Sequence, residues 1–321
     1  RIDEDLYDDN ERDHVAEDVS LLAFGRTFEF DSEFTPEPPL SEDPVWKLEA
    51  DRVDLPGSPD DFVAVSFRQT YDKVPVVLTM ATDAPGRPAG DPASVRIRNV
   101  TTTGFEMAQV EPPGSDGAAA AMSVHYVALE PGLHTLPDGT RLEVGTVEMD
   151  ETQTKLSGGS SWRLLPFSDG FTAAPSLVLQ IQGMANESGD PPQDPSEPWL
   201  EVATNAIYAD RAEIALERAE VDDGTVSLPE TVGYVAIDAG VQGSFTSNAG
   251  ATVEFETLVS GDFIRGWDNG CFTVSFAGTY TDPLVAASQS SRDGGDGGWL
   301  RRCALAADSV GLTVDEDTDN D

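Results

Sequence analysis

Lysine is nearly absent from this sequence: Lys47, Lys73 and Lys155 are the only three in 321 residues, and every other basic residue is arginine. Losing lysine removes long apolar stems from the surface, which matters where salt strengthens hydrophobic association. Basic residues of any kind are few, 19 against 59 acidic ones, for a formal charge of −40. That field argues against nucleic acid as a partner, because phosphate binding needs clustered Lys and Arg. Anionic membrane surfaces are disfavoured likewise. No apolar run approaches the roughly 18 residues of a membrane span, which predicts no membrane insertion. Residues Arg1 to Asp5 contain no signal peptide, so the expectation is a soluble chain whose export signal was removed ahead of Arg1. In dilute buffer this charge repels itself, whereas molar salt shrinks the Debye length to about 3 Å. A high-salt source, a halophilic archaeon, is therefore expected.

Groups for chemistry are also scarce. His14, His125 and His134 are the only histidines, and no G-x-S-x-G, Walker loop or H-E-x-x-H occurs. His125 lies within an expected strand and reads as a core histidine. His14 sits in His14-Val-Ala-Glu17 and reads as making a local hydrogen bond. Carboxylates are so frequent that their proximity identifies no acid and base pair. The expectation is a protein that is not an enzyme, with no catalytic residues. Asp3, Asp5 and Asp8 near one end, and Asp315, Asp317 and Asp319 near the other, are the best candidates for Ca2+ or another cation. A solvated halophilic face is the alternative.

Only two cysteines are present, Cys271 and Cys303. An even pair in an otherwise thiol-free chain predicts a disulfide and an oxidising, extracellular compartment, with two buried thiols as the alternative. Asn99-Val-Thr101 and Asn186-Glu-Ser188 fit the glycosylation sequon.

What the chain has in abundance is repetition. Phe67-Arg-Gln-Thr-Tyr71-Asp-Lys-Val-Pro75 returns as Phe167-Ser-Asp-Gly-Phe171-Thr-Ala-Ala-Pro175 and as Phe276-Ala-Gly-Thr-Tyr280-Thr-Asp-Pro283. Apolar runs follow each proline: Val76-Val-Leu-Thr-Met80, Leu177-Val-Leu-Gln-Ile181 and Leu284-Val-Ala-Ala-Ser288. They read as buried strands opened by a proline where an N–H is dispensable. Alternation and frequent Gly and Pro turns predict an all-β protein of about three tandem antiparallel sandwiches. Tyr208 to Ala219 tempts a helix, but its repeat partner is a strand.

These repeats divide the chain into an N-terminal strand segment (1–32), a proline-rich acidic linker (33–45), unit one (46–137), unit two (138–247) and an incomplete unit three (248–321). Asp138-Gly139 and Asn248-Ala-Gly250 would mark unit boundaries, and Ser188 to Pro198 an insertion. Units one and two end on Val124-His-Tyr-Val-Ala-Leu129 and Val232-Gly-Tyr-Val-Ala-Ile237, and unit three lacks that strand. Val19-Ser-Leu-Leu-Ala-Phe24 matches it, so Val19, Leu21, Leu22 and Phe24 are the expected strand donor. The strand could close its own chain or a neighbour's, or the chain could be a window on a longer array.

The run Tyr71-x-x-x-Pro75-Val-Val, then Val95-Arg-Ile-Arg-Asn-Val-Thr-x-x-Gly-Phe105, then Tyr126-Val-Ala-Leu129 resembles the H-type lectin domain and related repeats of halophile surface proteins. Unit one carries it best. The resemblance implies a six-stranded antiparallel sandwich, often oligomeric, which in lectin members binds N-acetylgalactosamine-type sugars at subunit edges. The full set of sugar-binding residues is not matched. Two functions follow as expectations. The first is a structural subunit of an extracellular filament, pilus-like fibre or surface layer, a homopolymer joined by head-to-tail strand complementation. The second is an adhesin or viral tail-fibre module that binds surface glycans.

Overall fold

The computed structural model describes residues 14–34, 45–56, 62–82, 93–110, 121–153, 161–187, 198–218, 225–294 and 297–316. Strand β1 (Val19–Phe24) comes first. Unit one follows with β2 (Phe28–Asp31), β3 (Lys47–Leu55), β4 (Val63–Ser66), β5 (Val76–Met80), β6 (Ser94–Arg98), β7 (Gly104–Val110) and β8 (Met122–Leu129). Unit two holds β9 (Gly132–Thr135), β10 (Arg141–Met149), β11 (Thr152–Gln153), β12 (Arg163–Pro166), β13 (Ser176–Ile181), β14 (Leu200–Ile207), β15 (Arg211–Arg218) and β16 (Glu230–Ile237). Unit three holds β17 (Gln242–Thr246), β18 (Thr252–Val259), β19 (Phe272–Ser275), β20 (Leu284–Gln289), β21 (Gly298–Ala306) and β22 (Ser309–Glu316). No helix among the described residues is long and apolar enough to cross a membrane.

Each unit is a sandwich of two sheets. The four-stranded sheets run β2-β3-β8-β5, β13-β16-β10-β9 and β17-β18-β1-β20; the opposing sheets are β4-β7-β6, β12-β15-β14 with the short parallel β11, and β19-β22-β21. In unit three, β1 occupies the place that β8 and β16 hold in the other two. It pairs antiparallel with β18 on one side and β20 on the other, Leu22 lying opposite Thr257 and Ala286. The N-terminal strand therefore closes its own chain.

Four cores result. Three lie between the sheets of single units, with Phe67, Ile97, Met107 and Tyr126 in the first, Leu165, Leu177, Ile214 and Leu216 in the second, and Leu21, Val285, Val310 and Leu312 in the third. The fourth is shared, gathering the second faces of all three four-stranded sheets: Leu48, Leu78 and Leu129, then Val144, Val178 and Ile237, then Phe24, Phe255 and Leu284. Sheets buried on both faces need apolar residues at successive positions, which is why β1, β5 and β13 are largely apolar, interrupted only by Ser20, Thr79, Ser176 and Gln180. Phe245 is the aromatic hub of this core, 5.1 Å from Phe28, 5.0 Å from Phe30 and 6.4 Å from Phe24, so unit three grips unit one where β1 passes between them.

Sheet pairing moves the unit edges one strand upstream of the boundaries read from sequence. β2, β9 and β17 each pair with the strand that follows, so unit one includes 28–31, unit two begins near Gly132 and unit three near Gln242. The segment 33–45 is thus the connection inside the β2–β3 hairpin rather than a spacer between domains; residues 35–44 lie outside the described residues. Asp138-Gly139 and Asn248 to Gly250 are likewise hairpin turns within units, and Gly139 and Gly250 supply the positive φ (96° and 79°) such turns demand. The stretch Tyr208 to Ala219 carries strand β15, which pairs with β14 on one side and β12 on the other; Ala219 lies outside the described residues.

Cys271 and Cys303 form a disulfide with Cα atoms 5.8 Å apart. It spans from the start of β19 across β22 to a bulge in β21 between Arg302 and Ala304. Gly311 lies beneath it, where any Cβ would collide with the Cys271 sulfur. Closing a loop of sequence separation 32 restricts the unfolded chain by about 3 to 4 kcal/mol in the chain-entropy account.

Candidate functional site

The joints between units carry buried polar chemistry. At the seam of units one and two, Arg96 on β6 reaches Glu187 at 2.7 and 3.0 Å and Glu201 at 2.9 Å, and its guanidinium lies 4.6 Å from the Trp199 ring centre. Burial pushes the Glu187 carboxyl up and opposes charge on Arg96, but the facing carboxylates outweigh that and raise the Arg96 pKa. At the seam of units two and three, Arg292 bonds Glu217 at 2.5 Å, and burial still pushes Glu217 up to about 7. At the seam of units three and one, Arg302 donates to the Ser123 carbonyl at 3.1 Å and Trp299 Nε1 to the Ala93 carbonyl at 3.0 Å.

The inner edge strands β5, β13 and β20 are capped by side chains from neighbouring units. Gln182 accepts the Val77 N–H at 2.9 Å and donates to the Val77 carbonyl at 2.8 Å. Ser288 Oγ does the same for Leu179, and His125 Nδ1 accepts the Val285 N–H at 3.0 Å. Each cap satisfies an edge that would otherwise pair with another chain. His125 is thus a core histidine held neutral, its pKa pushed to about 2 by burial and by the charges of Arg302 and Arg52. An unfolded chain takes up a proton on this residue near pH 6.5, while the folded one does not. The stability His125 supports is therefore full above pH 6.5 and falls as pH drops towards 2. His125→Gln is expected to be about 3 kcal/mol less sensitive to acidification from pH 7 to 4.5, read by urea unfolding at both pH values.

His14 donates to Glu17 at 3.0 Å as the H-x-x-E spacing suggests. Glu17 also accepts the backbone N–H groups of Asp293 and Gly294, and burial, which would raise its pKa, is outweighed by these bonds. His134 stacks on Trp46 at 4.4 Å and donates to the Glu130 carbonyl, and burial lowers its pKa to about 4.

Of the proposed cation ligands, Asp3, Asp5, Asp8, Asp317 and Asp319 lie outside the described residues. Asp315 is fully buried and paired with Arg301. It is an internal counter-ion rather than part of a solvent-facing cluster, because it lies in β22, the central strand of the β19-β22-β21 sheet. Among the described residues no group of three His, Cys, Asp or Glu side chains is placed to hold a metal ion. Asn99 is exposed in a turn at φ 53°, with its amide on Glu106 at 3.0 Å. Asn186 is half-buried, and its amide nitrogen donates to the Leu228 carbonyl and to Glu230. Val19, Leu21, Leu22 and Phe24 are all buried in β1.

Sequence reasoning missed a glutamate repeated in every unit. Glu49 accepts the N–H groups of Arg68 and Gln69 and the Tyr126 hydroxyl; Glu143 accepts the Ser168 N–H and the Tyr234 hydroxyl; Glu256 accepts the N–H groups of Ala277 and Gly278 and the Tyr280 hydroxyl. Each ties the turn after the repeated phenylalanine to the inner sheet. β1 has Leu21 where β8 and β16 have Tyr126 and Tyr234, and Tyr280 of the turn supplies the missing phenol. The available signal was an apolar residue followed by Glu (Leu48-Glu49, Leu142-Glu143, Phe255-Glu256) in the strand ahead of each phenylalanine.

One open groove of about 740 Å³ lies at the seam of units two and three. Its walls are the turn around Asp138 and the end of β16 at Asp238 on one side, and Gln242, Gly243, Ser244 and Tyr280 on the other. Carboxylates, amides, hydroxyls and one phenol suit a neutral, hydrogen-bonding ligand rather than an anion.

Against known proteins, no family model matches the chain and no solved structure matches it. The chain is 26% identical over 274 residues to Halomucin of Haloquadratum walsbyi (strain DSM 16790 / HBSQ001). The matched stretch covers 82% of this chain and 3% of Halomucin. The H-type lectin resemblance rests on its motifs alone, and what is established is an all-β chain similar to a short part of a haloarchaeal protein.

Proposed function

We propose that the chain is a non-enzymatic structural module of a haloarchaeal surface protein, a closed three-unit body that assembles with its neighbours into a filament or layer. One observation carries this reading: β1 of unit three is continuous with β2 of unit one, so one chain locks three sandwiches around a shared core. A rigid body of this kind, with buried ion pairs at its seams and a strongly acidic exterior, suits mechanical duty in molar salt. Similarity to Halomucin supports the haloarchaeal surface setting. Because β1 is used within the chain, assembly runs through outer surfaces rather than through strand exchange between chains. Electron microscopy of the protein in molar KCl is expected to show compact particles joined into ordered arrays as concentration rises. Particles that stay dispersed at every concentration would refute the assembly role.

A second reading, glycan binding, is favoured by the groove. It lies between units two and three, and the carboxylates of Asp138, Asp238 and Glu254 offer acceptors. A glycan array in molar salt tests it, and a blank array would dismiss it.

A further inference from the structure

Arg96, Arg292 and Arg301 each face a carboxylate. Arg302 does not. It is 9% exposed, and among the described residues no Asp or Glu side chain pairs with its guanidinium. Its side chain donates to the Ser123 carbonyl at 3.1 Å, and its buried Nε has no acceptor. A charge buried without an opposite one is the costly case, because nothing repays its lost hydration. Burial, and then the charge of Arg52, lower the Arg302 pKa to about 10, which leaves the group protonated at neutral pH. With 59 acidic residues against 19 basic ones in the chain, a buried cation without a carboxylate singles this place out.

Its surroundings are cationic too. Arg52 on β3 lies directly opposite His125 on β8, and Arg302 reaches β8 at Ser123, two residues from His125 and on the same face. The charges of Arg302 and Arg52 both act on His125, and that of Arg52 acts on Arg302. Arg52 holds Asp282 at 2.6 Å, so that pair cancels and the charge of Arg302 is left over. His125 contributes a donor. Its Nδ1 accepts the Val285 N–H, so the neutral ring carries its proton on Nε2, which no acceptor among the described residues bonds.

We propose that Arg302, Arg52 and the His125 Nε2–H together bind a monovalent halide, chloride in a high-salt medium, at the seam of units three and one. One negative charge balances the one left over, and bonds from guanidinium to an anion are of the strong, charge-assisted kind. His125 is 2% exposed and Arg302 9%, which leaves little room and favours a single-atom ion over a polyatomic one. The ion ties β3 and β8 of unit one to β21 of unit three. Bound only by the folded chain, it adds stability as chloride rises, beyond the screening that any salt provides.

The probe is chloride itself, titrated into the full chain held in molar potassium gluconate and followed by chloride NMR line broadening. Saturable broadening is expected, with affinity weakened at least tenfold by Arg302→Met and by Arg52→Gln. Arg52→Gln alters a partly exposed side chain and keeps the fold, so it remains decisive if Arg302→Met does not fold. In crystals soaked in potassium bromide, the anomalous peak is expected beside Arg302, Arg52 and His125. At equal ionic strength, replacing gluconate by chloride should raise the stability of the parent in urea unfolding more than that of Arg52→Gln. Broadening that does not saturate, broadening unchanged in Arg52→Gln, or equal stability gains would overturn the proposal. So would bromide found elsewhere on the surface, an adventitious ion only, or sulfate that displaces bromide from this place.

Discussion

Deleting residues 1–24 is expected to unfold unit three and to loosen the whole body. β1 buries Val19, Leu21, Leu22 and Phe24, with Leu22 and Phe24 in the shared core and Val19 and Leu21 between the sheets of unit three. At about 1.5 to 3 kcal/mol for each fully buried side chain, their loss comes to roughly 6 to 12 kcal/mol, comparable with the whole stability of an ordinary domain. The deletion also leaves β18 and β20 with unpaired facing edges in the middle of a sheet. Limited proteolysis in molar KCl should show cleavage within 242–316 in the deletion variant and resistance in the parent. Adding a synthetic peptide of residues 14–24 is expected to restore resistance, since the vacated slot is shaped for that strand. The single change Leu22→Ala isolates the shared core from strand pairing and is expected to cost about 2 to 5 kcal/mol in urea unfolding.

Arg96→Ala is expected to be nearly as damaging, at about 3 to 5 kcal/mol, because it leaves Glu187 buried without its counter-ion. Both partners are 3% exposed, so molar salt does not screen the pair. The loss measured by urea unfolding should therefore be the same in dilute and in concentrated KCl. The surface charge behaves oppositely, and the parent should gain stability steadily as salt rises. Replacing both partners, Arg96→Met with Glu187→Leu, is expected to recover most of the loss, since two packed apolar side chains can stand in for a buried pair. A loss that shrinks with salt would place Arg96 among the solvated surface charges.

The strands that recur in each unit could be read from the sequence because the repeat is strong there. The phenylalanine, proline and apolar run recur three times, and a strand buried on both faces announces itself as a continuous apolar stretch. The displaced last strand was legible for the same reason, since Val19 to Phe24 has the apolar run of β8 and β16 although it lacks their tyrosine. What the residues did not reveal was where each unit starts. β2, β9 and β17 are short, and the turns that follow them look like domain boundaries because Gly and Pro punctuate hairpins and linkers alike. The seams were invisible for a different reason. Arg96 and Glu187 sit far apart in sequence, and in so acidic a chain a buried glutamate is indistinguishable from a solvated one. Glu49, Glu143 and Glu256 hid in that background too, although their recurrence was there to be found.

Whether one chain closes upon itself is tested most directly by a cross-strand disulfide between β1 and β20. Ser20 and Ser288 lie opposite each other in the paired strands. In the variant Ser20→Cys/Ser288→Cys, oxidised in molar KCl over a wide range of protein concentrations, non-reducing electrophoresis and mass mapping should find the new bond within single chains at every concentration. A ladder of covalently linked chains that grows with concentration would mean that β1 completes a neighbour instead, and would contradict the closed three-unit body.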